Sequence, residues 1–471
     1  MARNISRWSL LLLVSTSVFL SVLDIFVVNV ALPSIKKGIN GTDTDMQWII
    51  VLYVLGYVAF LITGGTVGDY FGKKPVFITG MATFTLASCL CGLSHDAIQL
   101  NIGRTLQGIS AAFMVPQGIA YIQVLFNDQR SRTKALGIYG SIAGAASVLG
   151  QFLGGMLPEV HSFIDGWRLI FLINIPIGIV AVYLSAKYLE NTIIVRTKRF
   201  DWLGAFLLII TLISFIYPII QGRELDWPVW IFLIFGLSIV ISIIFFWQQR
   251  TRQRTGKSNL ISTEIFKYKS FNIGLCASVF YFMVQDTYFL INVVLLQTGF
   301  GISSRDTGLY FMSQGIGYVI ASLISIKLIP IYGKLVLVFG VIIMIISLLF
   351  HIVILNGIEM NTIKITTVFF IYGIGCGSVL PSLLTVSLRS LPSSLSGMAS
   401  GTYSTFQQTA IALGISTVGG LFFHLLERPS IKIETYLTAY KTATIGNIVL
   451  LIIVIIFLLL LSNKNKPVKL S

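Results

Sequence analysis

Charge is scarce in this sequence. Asp, Glu, Lys and Arg make up 11% of its 471 residues, where soluble domains carry about 25%, so there is too little polar surface to clothe a water-soluble globule. Acidic residues are scarcer still, 18 against 33 basic ones, for a formal net charge of +15. The basic residues fall in short stretches between apolar blocks and form no continuous patch, which argues against nucleic acid as a partner. The richest stretch, FWQQRTRQRTGK at 246–257 with Lys267 and Lys269 beyond it, reads as a solvated loop against anionic lipid headgroups. Cysteines are few. Cys89, Cys91, Cys276 and Cys376 each lie inside an apolar block, a pattern of neither a disulfide framework nor a zinc site. With no legible nucleophile and base, phosphate loop or metal-ligand set, no enzymatic activity, metal or cofactor is expected.

Apolar side chains are what the sequence has in excess: 55% of residues are hydrophobic and the mean hydropathy is +0.87. Blocks long enough to cross a bilayer as a helix, roughly 20 residues, recur from end to end. Helices are predicted at 8–32, 46–68, 75–94, 98–125, 133–157, 167–189, 202–221, 229–247, 270–297, 306–328, 334–355, 363–387, 396–425 and 440–461. The first block is too long for a signal-peptide core and carries Asp24, so it reads as a retained span. Lys and Arg concentrate in alternate loops, which predicts a multi-pass protein with both termini cytoplasmic. FGKKPVF at 71–77 is echoed by YGKLVLV at 332–338, each following a span. Setting aside the pair of spans at 202–247 leaves two six-helix sets. The expected organisation is a first bundle at 1–190, two inserted helices at 191–248, a basic cytoplasmic linker at 249–269 and a second bundle at 270–471.

Several strings carry a family resemblance. GTVGDYFGKK at 65–74 places Gly65, Asp69, Gly72, Lys73 and Lys74 at the end of a span and in a very short turn. It resembles the signature loop of the major facilitator superfamily, with Tyr70 where an arginine is usual. NIGRTLQG at 101–108 is similar to a second motif of that family, with Arg104, Gln107 and Gly108 in register. LDIFVVNVALP at 23–33 resembles the first-helix signature of the fourteen-helix drug/proton antiporter branch, with Phe26 in place of the usual threonine. ASVLGQFLGG at 146–155 is similar to the antiporter motif, in which Gly150, Gly154 and Gly155 permit close helix contact. Gln151 stands where that motif has proline. WRLIFLINIPIG at 167–178 is typical of the same branch and suggests no chemistry beyond an interfacial Trp-Arg anchor. The resemblance implies an all-α integral membrane fold of two six-helix bundles plus two central helices. It also implies that Asp69 pairs with the N-terminus of the thirteenth helix near Ser394–Gly397, as a gate.

Two acids are expected within spans, Asp24 on the first helix and Asp286 on the ninth. A carboxyl group removed from water holds its proton more tightly, and such a group can couple a proton gradient to a conformational change. Asp24, Asp286 and Arg104 are the proton-coupling candidates; a hydrogen-bonded structural role stays open for each acid, as does cation recognition for Asp286, and Arg104 could instead reach the outer interface. Asn29, Tyr53, Tyr57, Gln107, Gln117, Tyr281, Gln285, Tyr288, Phe406 and Gln407 are cavity candidates, with Asn292 and Gln408 as further polar residues in spans. The histidines, His95, His161, His351 and His424, are expected at the outside interface. The function expected is proton-coupled efflux of drugs or amphiphilic small molecules by a monomeric carrier in a bacterial cytoplasmic membrane. Export of one metabolite, siderophore or lipid, proton symport, and a non-transporting receptor on the same fold stay open.

Overall fold

A computed structural model describes residues 6–126, 128–160, 164–191, 201–257, 259–261, 263–355, 361–388, 391, 396–426 and 433–461. The described residues fold into helices without a strand, and 14 of these helices are long and apolar enough to cross a membrane. In chain order they are α1 (Arg7–Gly38), α2 (Asp43–Phe71), α3 (Lys73–Leu93), α4 (Ala97–Leu125), α5 (Gln129–Met156), α6 (Gly166–Tyr188) and α7 (Trp202–Glu224). They continue as α8 (Val229–Arg254), α9 (Lys269–Gly299), α10 (Ser304–Tyr332), α11 (Lys334–Ile354), α12 (Thr362–Leu388), α13 (Ala399–Leu426) and α14 (Ile433–Leu460).

Local chemistry sets the helix starts. Thr42 and Asp45 form a capping box at α2, and Asp96, Asp128 and Ser303 accept backbone N–H groups at the starts of α4, α5 and α10. These caps lie beyond the apolar blocks, so several helices exceed their predicted bounds; α1 runs through Pro33 to Gly38. Departing from a continuous sixth span, α6 is interrupted at Ile173. Pro176 supplies no N–H to the preceding turn, and a fresh helix begins at Asn174. The echoed glycines occupy matching joints. Gly72 sits between α2 and α3 with φ +91°, and Gly333 between α10 and α11 with φ +56°, a region where an L side chain is strained.

Burial orders the helices from centre to periphery. Within its most apolar window α9 is 78% buried and α8 only 17%; α8 turns Phe232, Leu233, Ile243 and Trp247 outward, as a lipid-facing helix must. In the first half, α1 packs on α5, α2 on α4, and α3 on α4 and α6. Equivalent pairings recur in the second half, with α9 on α13 and α14 and α10 on α12. The halves meet along α5 with α10 and α2 with α13.

Helices α7 and α8 lie outside this frame. Trp48 on α2 donates to Gln221 on α7 at 3.3 Å and packs beside Tyr217. At the other end, Asp201 is buried and accepts from Gln248 at 2.9 Å and Gln249 at 2.7 Å, with Arg252 at 3.3 Å. The Gln249 oxygen in turn accepts the amides of Leu260 at 2.6 Å and Ile261 at 3.1 Å. Gln253 does the same for Thr263 at 2.9 Å. The segment leading into α9 is therefore docked on α8, with Ile261 and Ile265 buried and Phe266 packed against Phe246, Phe271 and Phe406.

Candidate functional site

Asp24, 0% exposed, is the centre of a polar cluster within the first half. Arg104 forms an ion pair with its Oδ2, while Gln107 and Asn174 donate to Oδ1 at 3.0 and 3.1 Å. Gln107 and Asn174 both also donate to the Ser88 hydroxyl, at 3.1 and 2.9 Å, and Ser88 donates to the Phe171 carbonyl. Arg104 is 1% exposed and further donates to Gln107 at 2.9 Å and the Ile49 carbonyl at 3.0 Å. Its guanidinium lies 4.4 Å from the centre of the Tyr53 ring, and Tyr53 is bonded to Ser21 at 2.8 Å. Arg104 thus turns inward instead of reaching an interface, because the membrane interior offers its charge a carboxylate and two carbonyl-type acceptors. Asn174 and Ser88 were missed in the sequence. Asn174 is the residue at which α6 restarts, so the helix break aims its amide at Asp24.

The wall of this cluster faces a central cavity of about 300 Å³, the lower end of the range for small-molecule sites. Asn29, Tyr53, Tyr57, Arg104 and Gln151 line it from the first half, and Gln285, Asp286, Gln314, Gln407 and Gln408 from the second. Asp286 is 6% exposed and accepts one bond, from Asn29 at 3.3 Å, which joins α1 to α9 across the halves. Among the described residues no cation pairs with it.

The remaining candidates lie elsewhere. Phe282, Gln285, Asp286 and Phe289 form the cavity face of α9, so Tyr281 and Tyr288 sit one position round and pack inside the second half. Tyr288 stacks on Tyr372 at 3.8 Å and bonds His351 Nε2 at 3.1 Å. This corrects the placing of His351 at the outside interface: it is wholly buried among Tyr288, Phe369 and Tyr372, with Nδ1 2.8 Å from the Ser347 carbonyl. Asn292 bonds Tyr440 and the Tyr288 carbonyl. Gln107 is absorbed by the Asp24 cluster, and Phe406 packs on Phe266. Gln117 donates to the Gly64 carbonyl at 2.6 Å and so braces α2 against α4 near the signature loop. His161, the Asp69 side chain and residues 392–395 lie outside the described residues.

The glycines of the antiporter-like motif are explained by contact. A Cβ on Gly150 would stand 2.8 Å from the Leu23 carbonyl oxygen and one on Gly154 2.5 Å from that of Val27, so both let α5 lie against α1. Gly155 faces the other half, where a Cβ would meet the Ser304 carbonyl oxygen at 2.5 Å. The halves are in contact at this end, where α1 finishes. Gln297 donates to the Val30 carbonyl at 2.8 Å, Ser34 and Ser304 are 3.2 Å apart, and the Arg305 amide donates to Glu159 at 2.9 Å. Toward the end where α1 begins, Gly137, Gly140 and Gly144 face open space.

Two helical halves in contact at one end and sharing a largely apolar cavity with a few polar side chains from each define a multi-pass membrane carrier. The chain belongs to the Major Facilitator Superfamily, whose sequence profile matches residues 14–266, 196–415 and 274–470. It is 30% identical to the "Probable actinorhodin transporter" of Streptomyces coelicolor, over 89% of this chain and 73% of that one. It is 27% identical to "Multidrug resistance protein Stp" of Mycobacterium tuberculosis, over 88% and 76%. Among solved structures it resembles a bacterial homologue of the human lysosomal transporter Spinster, inward-facing and unoccupied. The TM-score is 0.68, with 15% identity over 98% of this chain and 97% of that one.

Proposed function

We propose that this protein is a proton-coupled exporter of drugs or other amphiphilic small molecules in a bacterial cytoplasmic membrane. The observation that carries the reading is the buried Asp24–Arg104 cluster directly behind a cavity shared by both halves. A carboxylate held by two amide donors and one fixed cation can take up a proton only when those partners move, and that requirement can tie protonation to alternating access. Asp286, reached from the other half through Asn29, is the second candidate proton site. The relatives named for actinorhodin transport and for multidrug resistance support the substrate class. With both termini cytoplasmic, the joined end is extracellular and the cavity faces inward. The working bodies are then residues 1–190 and 270–471, with 191–248 inserted and 249–269 linking them; Asp69, with Gly65, Gly72, Lys73 and Lys74 around it, closes the inner gate.

The test uses the full chain in proteoliposomes with an imposed pH gradient and a panel of amphiphilic antibiotics and dyes. Gradient-driven movement of at least one compound, abolished by a protonophore, is expected. Movement of none, or movement indifferent to the gradient, would refute the reading.

A further inference from the structure

Two amide oxygens in the cavity lining are buried and, among the described residues, accept no bond. Gln151 on α5 and Gln314 on α10 both line it, each is 3% exposed, and the side-chain oxygen of each is buried without a hydrogen-bond partner among the described residues. Buried carbonyl oxygens in folded proteins are almost always satisfied, so a pair left empty in a ligand cavity marks places for donors from outside the chain. The helices that carry them belong to different halves and nearly touch here: a Cβ on Gly315 would lie 3.2 Å from the Gln151 Oε1. A third acceptor fronts the same space, the Asp286 carboxylate, which holds one long bond from Asn29 at 3.3 Å. Arg104 is the cation of the lining, and it is already committed to Asp24, Gln107 and Ile49. Beside these acceptors the lining is apolar, with Val22, Ile25 and Phe289.

We propose that Gln151, Gln314 and Asp286 form a recognition site for a protonated primary or secondary amine on an apolar body, selecting it by its N–H donors. The proposal deepens the exporter reading and rests on it for the word substrate. The carboxylate supplies attraction for any cation, whereas the two amide oxygens discriminate, because a quaternary ammonium has no N–H to give them. Gln151 thereby gains a role that a proline at its position could not fill, since proline carries no side-chain acceptor.

The probes are dansylcadaverine, a fluorescent primary amine, and its trimethylammonium analogue, which has the same charge and fluorophore. Binding is measured by fluorescence to the full chain in lipid nanodiscs, with empty nanodiscs as the blank. Wild-type protein should bind the primary amine about tenfold more tightly than the analogue. Gln151→Met and Gln314→Met, near in volume, should each lower amine affinity about fivefold, the loss of one hydrogen bond, and leave the analogue within twofold; retained analogue binding reports that the variant is folded. Asp286→Asn should weaken both probes. Equal wild-type affinities, parallel loss of both probes in the glutamine variants, or no binding of the amine overturns the proposal. Selective binding without proton-driven transport would overturn the exporter reading and leave the recognition site standing, whereas transport without selectivity would do the reverse.

Discussion

Neutralising both members of the Asp24–Arg104 pair should cost clearly less than the two single neutralisations added together. In Asp24→Asn the guanidinium keeps the Gln107 oxygen, the Ile49 carbonyl and the Tyr53 ring, but loses its counterion at a site that is 1% exposed. Arginine cannot shed its proton, so the full penalty of breaking a buried pair applies, about 3–5 kcal/mol. Arg104→Met leaves a carboxylate that still accepts from Gln107 and Asn174 and can be neutralised by a proton. Its cost is therefore closer to that of an under-satisfied buried polar group, about 1–3 kcal/mol. The double variant leaves no unpaired charge and should lose at least about 2 kcal/mol less than the sum of the two singles. Unfolding in mixed micelles titrated with a denaturing detergent, followed by tryptophan fluorescence and circular dichroism, measures all four proteins in one cycle. Additivity within about 0.5 kcal/mol would mean that the two charges do not support each other, and the account of the cluster would fail. The folded double variant should also show no proton-driven efflux; export at the wild-type rate would remove the pair from the coupling mechanism.

Asn174→Leu deletes one donor to the Asp24 carboxylate and one to Ser88, which should destabilise the protein by about 1.5–3 kcal/mol in the same unfolding assay; wild-type stability would show that the break in α6 serves another purpose. Gly154→Val sets a Cβ 2.5 Å from the Val27 carbonyl oxygen and should cost about 1–3 kcal/mol. Gly144→Ala faces open space and should change stability by no more than about 0.5 kcal/mol, so equal effects of the two would refute the close approach of α5 to α1.

The helices were legible because length and apolarity identify a span without tertiary information, and Asp24 and Arg104 were legible because a charge in such a span needs a reason. Which way a side chain points was not. A lipid-facing surface is as apolar as a core, so the periodicity that marks the inner face of a soluble helix is lost. That is why Gln285 and Tyr288, three residues apart, looked equally suited to a cavity although only Gln285 lines it. Asn174 escaped for a different reason. It acts on a residue 150 positions away, and nothing local distinguishes it from any asparagine at a helix boundary. His351 was misplaced because its position near the end of a span suggested an interface, whereas packing between α11 and α12 draws it inside with the Ser347 carbonyl as partner.

Docking on α8 shortens the reach of the segment that leads into α9. A free chain of this length, extending about 3.3–3.6 Å per residue, would be slack rope and would transmit no force between its ends. Held by Gln249 and Gln253 and anchored through its own Phe266 against Phe246 and Phe406, it becomes a short strap, so α8 is yoked to the start of α9 and to Phe406 on α13. Any movement of α9 and α13 against the first half would carry α8 with it and would be felt where α7 meets α2 at Trp48.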